Sequence, residues 1–136
     1  MSQSKPINTA LLSYGMSGEI FHAPLLAAHS GFVLTHVLQR RTSTAARHYP
    51  EVDVVSNIDD IISNEAIELV VVNTPNESHY DFTVRMLEAG KHVIVEKPFT
   101  VTAEEADRLI TLAKQRQRVL SVFQNRRWDG DFLTVQ

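Results

Sequence analysis

The sequence predicts a doubly wound α/β domain on a parallel sheet of about six strands, and three observations lead there. Short β-branched apolar runs alternate with longer segments of helical period, the pattern of βαβ units whose sheet is buried on both faces. A glycine-containing turn directly follows the first of those runs, as expected where a strand passes into a helix close to a ligand. The chain has 136 residues and 43% hydrophobic content, which is enough for one sizeable core and too little for two ordinary domains.

Strands are expected over residues 7–12, 32–38, 52–55, 69–73, 92–95 and 119–123. A first helix should start near Ser17 and run to about His29, with Gly31 as its stop. Residues 77–89 form a second, with Phe82, Val84, Met86 and Leu87 available for packing and Gly90 turning the chain into the next strand. Thr102 opens a third: its hydroxyl caps the helix, Glu104 and Glu105 lie at the positive end of the dipole, and Ala106, Leu109, Ile110 and Ala113 recur at helical spacing.

Composition removes several functions. Thirteen basic against sixteen acidic residues give a net charge of -3, which offers no electrostatic footprint for a nucleic-acid backbone. With no cysteine, disulfides, thiolate metal sites and cysteine nucleophiles are excluded, and no metal site is expected. Residues 1–6 lack the apolar segment of a secretory signal, and the densest apolar stretch, 67–72, is far too short to span a bilayer. A cytoplasmic protein without membrane partners is expected.

The turn after the first strand reads Ser13-Tyr14-Gly15-Met16-Ser17-Gly18, a G-x-G-x-x-G dinucleotide fingerprint with serine at the first glycine. Gly15 would let the backbone approach a pyrophosphate and Gly18 would let the helix pack on the strand, while free N–H groups at the helix start hold the negative charge. Ser13 adds a Cβ where the tight turn normally has none, so either weaker binding or a slightly wider turn is expected. A glycine-rich turn that binds nothing stays open as the alternative. After the second strand comes Gln39-Arg40-Arg41-Thr42-Ser43. It holds no carboxylate for the ribose of NAD, and two guanidinium groups suit a 2′-phosphate, so NADP is favoured and NAD remains possible. Arg40 and Arg41 could equally form a solvated turn.

With these features, Thr74-Pro75-Asn76, His79 and the run Gly90-Lys91-His92-Val93-Ile94-Val95-Glu96-Lys97-Pro98-Phe99, the chain resembles the Gfo/Idh/MocA oxidoreductases over nearly its whole length. Phe21-His22-Ala23-Pro24 and Gln124-Asn125-Arg126-Arg127-Trp128-Asp129 resemble one cytoplasmic branch of that family. The resemblance implies that Thr74, Pro75 and Asn76 lie beside the ribose and nicotinamide, with His79 near them. It also implies that Glu96, Lys97 and Pro98 end the fifth strand, with a cis peptide before Pro98 and Lys97 next to the reacting carbon. Hydride transfer from a secondary alcohol requires its proton to leave, and a lysine beside the cationic ring can serve as base or orient the oxygen. Lys97 is the catalytic candidate, with a surface lysine in a turn as the alternative. His22 and His92 read as packed or exposed histidines, and Trp128 as a packing residue, rather than as chemistry.

Two functions follow. The first is an NADP-dependent dehydrogenase or reductase acting on a sugar, polyol or related small carbonyl compound; the second is a non-catalytic dinucleotide-sensing or interaction module on the same fold. The expected organisation is a dinucleotide-binding Rossmann domain over residues 1–124, followed by the start of a connection over 125–136 to a C-terminal α/β substrate domain that the chain lacks. Alone, the chain is expected to show no turnover and to self-associate through Trp128, Phe132 and Leu133, as a homo-oligomer.

Overall fold

The computed structural model describes residues 5–130 and residue 134. Six strands, β1 (Ile7–Leu11), β2 (Phe32–Leu38), β3 (Asp53–Val55), β4 (Leu69–Val72), β5 (His92–Glu96) and β6 (Leu120–Phe123), form one wholly parallel sheet in the order β3-β2-β1-β4-β5-β6. The order reverses between β1 and β4, so the crevice beyond their carboxyl ends is where an open α/β sheet binds ligands.

The helices are α1 (Ala23–Ala28), α2 (Ala45–His48), α3 (Ile58–Ile62), α4 (His79–Glu88) and α5 (Ala103–Arg116). Alternate strand residues point to opposite faces, and both faces carry a core. Ala10, Val70, Val72, Val93 and Val95 pack with Met86, Leu87 and Leu109 on the α4 and α5 side. Leu11, Val37 and Val71 pack with Ala23 and Leu26 on the α1 side. Continuous apolar strands such as β4 are the consequence.

Helix ends follow local chemistry. In α5, Thr102 and Glu105 form a reciprocal capping box. At the end of α4, Gly90 takes φ 75°, and its N–H and that of Lys91 bond to the carbonyls of Leu87 and Met86, closing the last turn as only glycine does without strain. Gly31 does not play that part. The first helix ends at Ala28, because His29 is already extended. Within α4, His79, Thr83, Met86 and Leu87 form the buried stripe, while Phe82 and Val84 are only partly buried.

The largest departure from expectation lies at the first helix. Residues Ser17–His22 wind as a π-helical turn that runs into α1. Pro24 provides the reason: it has no N–H, and its ring would collide with the carbonyl four residues back, so the preceding turn widens. The Ala23 N–H accordingly bonds to the carbonyl of Gly18, five residues back. Neither α2 nor α3 was expected, since helices this short show no periodicity. The start of α3 is fixed by Asn57, whose Oδ1 accepts from the Asp59 N–H at 3.0 Å.

Candidate functional site

Residues 13–18 turn the chain from β1 into the π-helical turn at the switch point. Asn73, just past β4, donates from Nδ2 to the Ser13 carbonyl at 2.8 Å and pins this turn to the neighbouring strand. A Cβ on Gly18 would drive into the Ser13 carbonyl and come within 2.9 Å of Asn73 Nδ2. A Cβ on Gly15 would meet nothing nearer than Ser13 Oγ at 3.7 Å, which leaves a face of the backbone open. The two glycines therefore do different work, one for packing and one for access. Ser13 does not enter the left-handed region, and its Oγ accepts from the Gly15 N–H at 3.3 Å. Tyr14 is buried, with its hydroxyl hydrogen-bonded to His48 Nδ1 at 3.0 Å, which ties the turn to α2. Burial, Tyr49 and Glu19 push its phenol pKa up.

A cleft of about 750 Å³ opens over this turn, between the β2–α2 loop and the start of α4; Ser13, Tyr14, Gly15, Arg40, Arg41, Thr74 and Pro75 line it, with Glu77 and Asp81 on the α4 side. Gln39 builds the β2–α2 loop. Its Nε2 donates to Thr42 Oγ1 and Thr44 Oγ1, both at 2.9 Å, and its Oε1 accepts from the Ala45 N–H at 2.9 Å. Both arginines are exposed, and neither guanidinium has a hydrogen bond or ion pair among the described residues. The loop stands without them.

Past the turn lies a second crevice of about 260 Å³, lined by Met16, Ser17, Phe21, Asn73, Thr74, Glu96, Lys97, Asn125 and Arg126. Thr74 borders both spaces. The Lys97–Pro98 peptide is cis, and the exposed Lys97 ammonium has no partner among the described residues. Thr74 Oγ1 lies 2.7 Å from Ser78 Oγ, which donates to the Pro75 carbonyl at 2.6 Å. Asn76 is exposed and opens the short 3-10 turn Asn76–Ser78. His79 is fully buried; its Nε2 lies 2.8 Å from the Thr74 carbonyl and its Nδ1 2.8 Å from that of Pro98. One ring thus bridges the turns that follow β4 and β5.

Sequence reasoning missed a cluster beside Lys97. The buried Glu96 carboxylate accepts through Oε1 from Ser17 Oγ at 2.6 Å and from His22 Nε2 at 2.9 Å, and through Oε2 from the Lys97 N–H at 3.1 Å. Burial alone would raise the Glu96 pKa, but donation by Ser17, His22 and the Lys97 amide outweighs it and holds the carboxyl below the usual carboxylate range. Burial lowers the His22 pKa as well, against the attraction of Glu96. The nitrogen that faces a carboxylate oxygen carries the hydrogen, so His22 Nε2 donates to Glu96. No short motif links Ser17 and His22 to a residue 79 and 74 positions away; Pro24, which sets the π turn, is the one local signal. Asn73 was also missed, and its Oδ1 is buried without a partner.

His92 is a packing residue, accepting through Nδ1 from the Val119 N–H at 2.9 Å. Among the described residues no group of acidic and histidine side chains could hold a metal ion, and no helix is long and apolar enough to cross a membrane.

A six-stranded parallel sheet in this order, with an open glycine turn at the switch point and unpaired arginines after β2, defines a dinucleotide-binding α/β domain. The chain belongs to the GFO_IDH_MocA family, an oxidoreductase family with an NAD-binding Rossmann fold, whose profile matches residues 7–124. It is 43% identical over 130 residues to the scyllo-inositol 2-dehydrogenase (NADP(+)) IolW of Bacillus subtilis, an alignment covering 96% of this chain and 36% of that protein. It is 30% identical over 121 residues to the D-glucoside 3-dehydrogenase of Escherichia coli, covering 87% and 34%. Among solved structures, an NAD-binding protein from Listeria innocua matches with a TM-score of 0.87 at 31% identity, covering 96% of this chain and 38% of that one. The chain spans little more than a third of the length of these relatives.

Proposed function

We propose that this chain is the nucleotide-binding part of an NADP-linked oxidoreductase that moves a hydride between the nicotinamide and a sugar, polyol or related small carbonyl compound. The observation that carries the reading is Lys97, whose amine has no partner among the described residues and lies in a crevice that adjoins the open cleft over Gly15. The space above Gly15 fits a pyrophosphate, because among the described residues nothing comes nearer to it than Ser13 Oγ at 3.7 Å. Ser13, Tyr14, Gly15, Met16, Ser17 and Gly18 form that cradle, Arg40 and Arg41 face the adenosine ribose and its 2′-phosphate, and Thr74, Pro75 and Asn76 border the second ribose. Bound nicotinamide supplies the two-electron acceptor or donor. In oxidation the neutral amine form of Lys97 would accept the hydroxyl proton as the hydride leaves, and in reduction its ammonium form would give that proton back. Glu96, Pro98 and His79 act by holding the turns that present these groups. Dehydrogenation of scyllo-inositol and of a D-glucoside are the activities named for the two relatives above, and they support a sugar-like substrate.

NADP is preferred to NAD because Gln39 carries no charge to repel a 2′-phosphate and both guanidinium groups are free to pair with it. The NADP(+)-linked inositol dehydrogenase supports this choice, and the NAD-binding relative keeps NAD as a second ligand. Residues 1–124 are the dinucleotide domain and 125–136 begin the connection to a substrate domain. Trp128, 77% exposed, fits a surface that such a domain or a second copy covers; Phe132 and Leu133 lie outside the described residues. The protein acts in the cytoplasm, and this chain alone lacks turnover.

Calorimetric titration of the purified chain with NADPH and NADH at fixed salt, followed by assay of the complete protein on inositols and glucosides, tests the proposal. Tighter binding of NADPH and turnover by the complete protein are expected. Absence of binding to either dinucleotide sinks the reading, and binding without any turnover turns it into a sensor or interaction module.

A further inference from the structure

A helix of ordinary pitch would not bring Ser17 and His22 together. At 3.6 residues per turn, side chains five positions apart point roughly 140° from each other. In a π turn the i to i+5 hydrogen bond stacks such residues on one face, and here Ser17 Oγ and His22 Nε2 reach the same atom, Glu96 Oε1, at 2.6 and 2.9 Å. The other carboxylate oxygen accepts from the Lys97 N–H at 3.1 Å. His22 is 4% exposed and Glu96 9%, and the His22 ring lies against Phe123 with centroids 4.4 Å apart. Ser17 also belongs to the fingerprint turn, and Gly18, the next residue, packs against the Ser13 carbonyl.

We propose that Ser17, His22 and Glu96 form a positioning cluster that transmits occupation of the fingerprint turn to the backbone of Lys97. The purpose of the cluster rests on the reading of Lys97 as the proton-transferring group, while its mechanics rest on the hydrogen bonds alone. A ligand on the turn shifts Ser17; Ser17 and His22 share one acceptor, so the carboxylate follows, and its second oxygen carries the movement to the Lys97 amide. None of the three is a catalytic residue, because each acts through Lys97. The widening imposed by Pro24 is what makes the cluster possible, since it places both donors on one side.

The test uses ADP-ribose, which fills the pyrophosphate turn without placing a nicotinamide near Lys97, and reads backbone amides of the labelled chain by NMR. In the wild type, ADP-ribose should shift the amide resonances of Gly15 and Lys97 together. At saturating ADP-ribose the Lys97 response, taken relative to that of Gly15 in the same variant, should fall at least about 3-fold in Ser17→Ala and in His22→Phe. In the same two variants without ligand, hydrogen exchange at the Lys97 amide should rise about 10-fold, with no matching rise at the core amide of Val71. His22→Gln, which keeps a donor, should recover most of both effects. If His22→Phe does not fold, the milder Ser17→Ala decides the matter. A Lys97 response as large in the variants as in the wild type overturns the proposal, as does a wild type in which Gly15 responds and Lys97 does not. Silence at Gly15 itself refutes dinucleotide binding instead, and the exchange rates of the free chain then decide the cluster: unchanged protection at Lys97 in both variants overturns it.

Discussion

The two glycines of the fingerprint turn should fail in opposite ways when each is replaced by alanine. In Gly18→Ala the new methyl meets a backbone carbonyl, that of Ser13, and the Asn73 amide at 2.9 Å, neither of which is the free end of a flexible side chain. Overpacking of this kind costs about 1–3 kcal/mol, and displacing Asn73 from Ser13 costs about 1 kcal/mol more. The better helix propensity of alanine offsets about 0.5–1 kcal/mol of that. The net loss of about 1–3.5 kcal/mol lowers the melting temperature of a chain this size by roughly 3–12 °C. In Gly15→Ala the methyl meets only Ser13 Oγ at 3.7 Å, so the melting temperature should stay within about 2 °C of the wild type. The same methyl occupies the face open to the pyrophosphate, and NADPH affinity should drop at least about 10-fold. Circular-dichroism melts and calorimetric titration of both variants read the two effects separately. A Gly18→Ala protein that melts with the wild type, or a Gly15→Ala protein that binds NADPH undiminished, would refute the division of roles.

Three further outcomes are expected. Lys97→Ala should leave stability within about 0.5 kcal/mol and cofactor affinity within a small factor, yet cut turnover of the complete protein by about 10²-fold or more; undiminished turnover in a steady-state assay removes Lys97 from the chemistry. Arg40→Ala should weaken NADPH about 10-fold and leave NADH unchanged, and equal losses for both dinucleotides by calorimetry would show that the guanidinium does not read the 2′-phosphate. Glu96 and His22 both have pKa values lowered by folding, so in acid the unfolded chain binds more protons than the folded one. The stability they contribute is complete above the ordinary histidine range, near about 6.5, and is lost as pH falls through that range and then through the carboxylate range. Melting should drop by several degrees between about pH 7.5 and 5, and His22→Phe should flatten the upper part of that slope; an unchanged slope in the variant excludes His22 as a source.

The fold was legible because its signals are local. Runs such as Leu69–Val72 are buried on both faces, and the capping chemistry of Thr102 and Glu105 acts within one turn. The same holds for Gly90, whose positive φ closes α4. Where the reading failed, a local feature competed with the pattern. Pro24 converted the first helical turn to π geometry, and α2 and α3 were too short to show a period. Gly31 was misjudged because glycine permits a left-handed stop without requiring one.

The site was legible in half, and the division has a physical cause. Groups that face the cleft sit in contiguous motifs: Gly15 in the fingerprint turn, Arg40 and Arg41 after β2, and Lys97 after β5. The groups that hold those motifs come from other strands. Asn73 fixes the Ser13 carbonyl, His79 bridges the carbonyls of Thr74 and Pro98, and Glu96 joins Ser17 and His22 to the Lys97 amide. All of these holders except Ser17 are buried, and each bonds to backbone or to another holder, which leaves Arg40 and Arg41 in the cleft and Lys97 in the adjoining crevice without partners among the described residues. Preorganisation of that kind requires polar groups away from solvent, at positions where the sequence shows only an isolated asparagine or histidine. A histidine inside an apolar pattern, as at position 79 or 22, therefore signals packing when read alone, and its role appears only when the turn it ties is known to face a ligand.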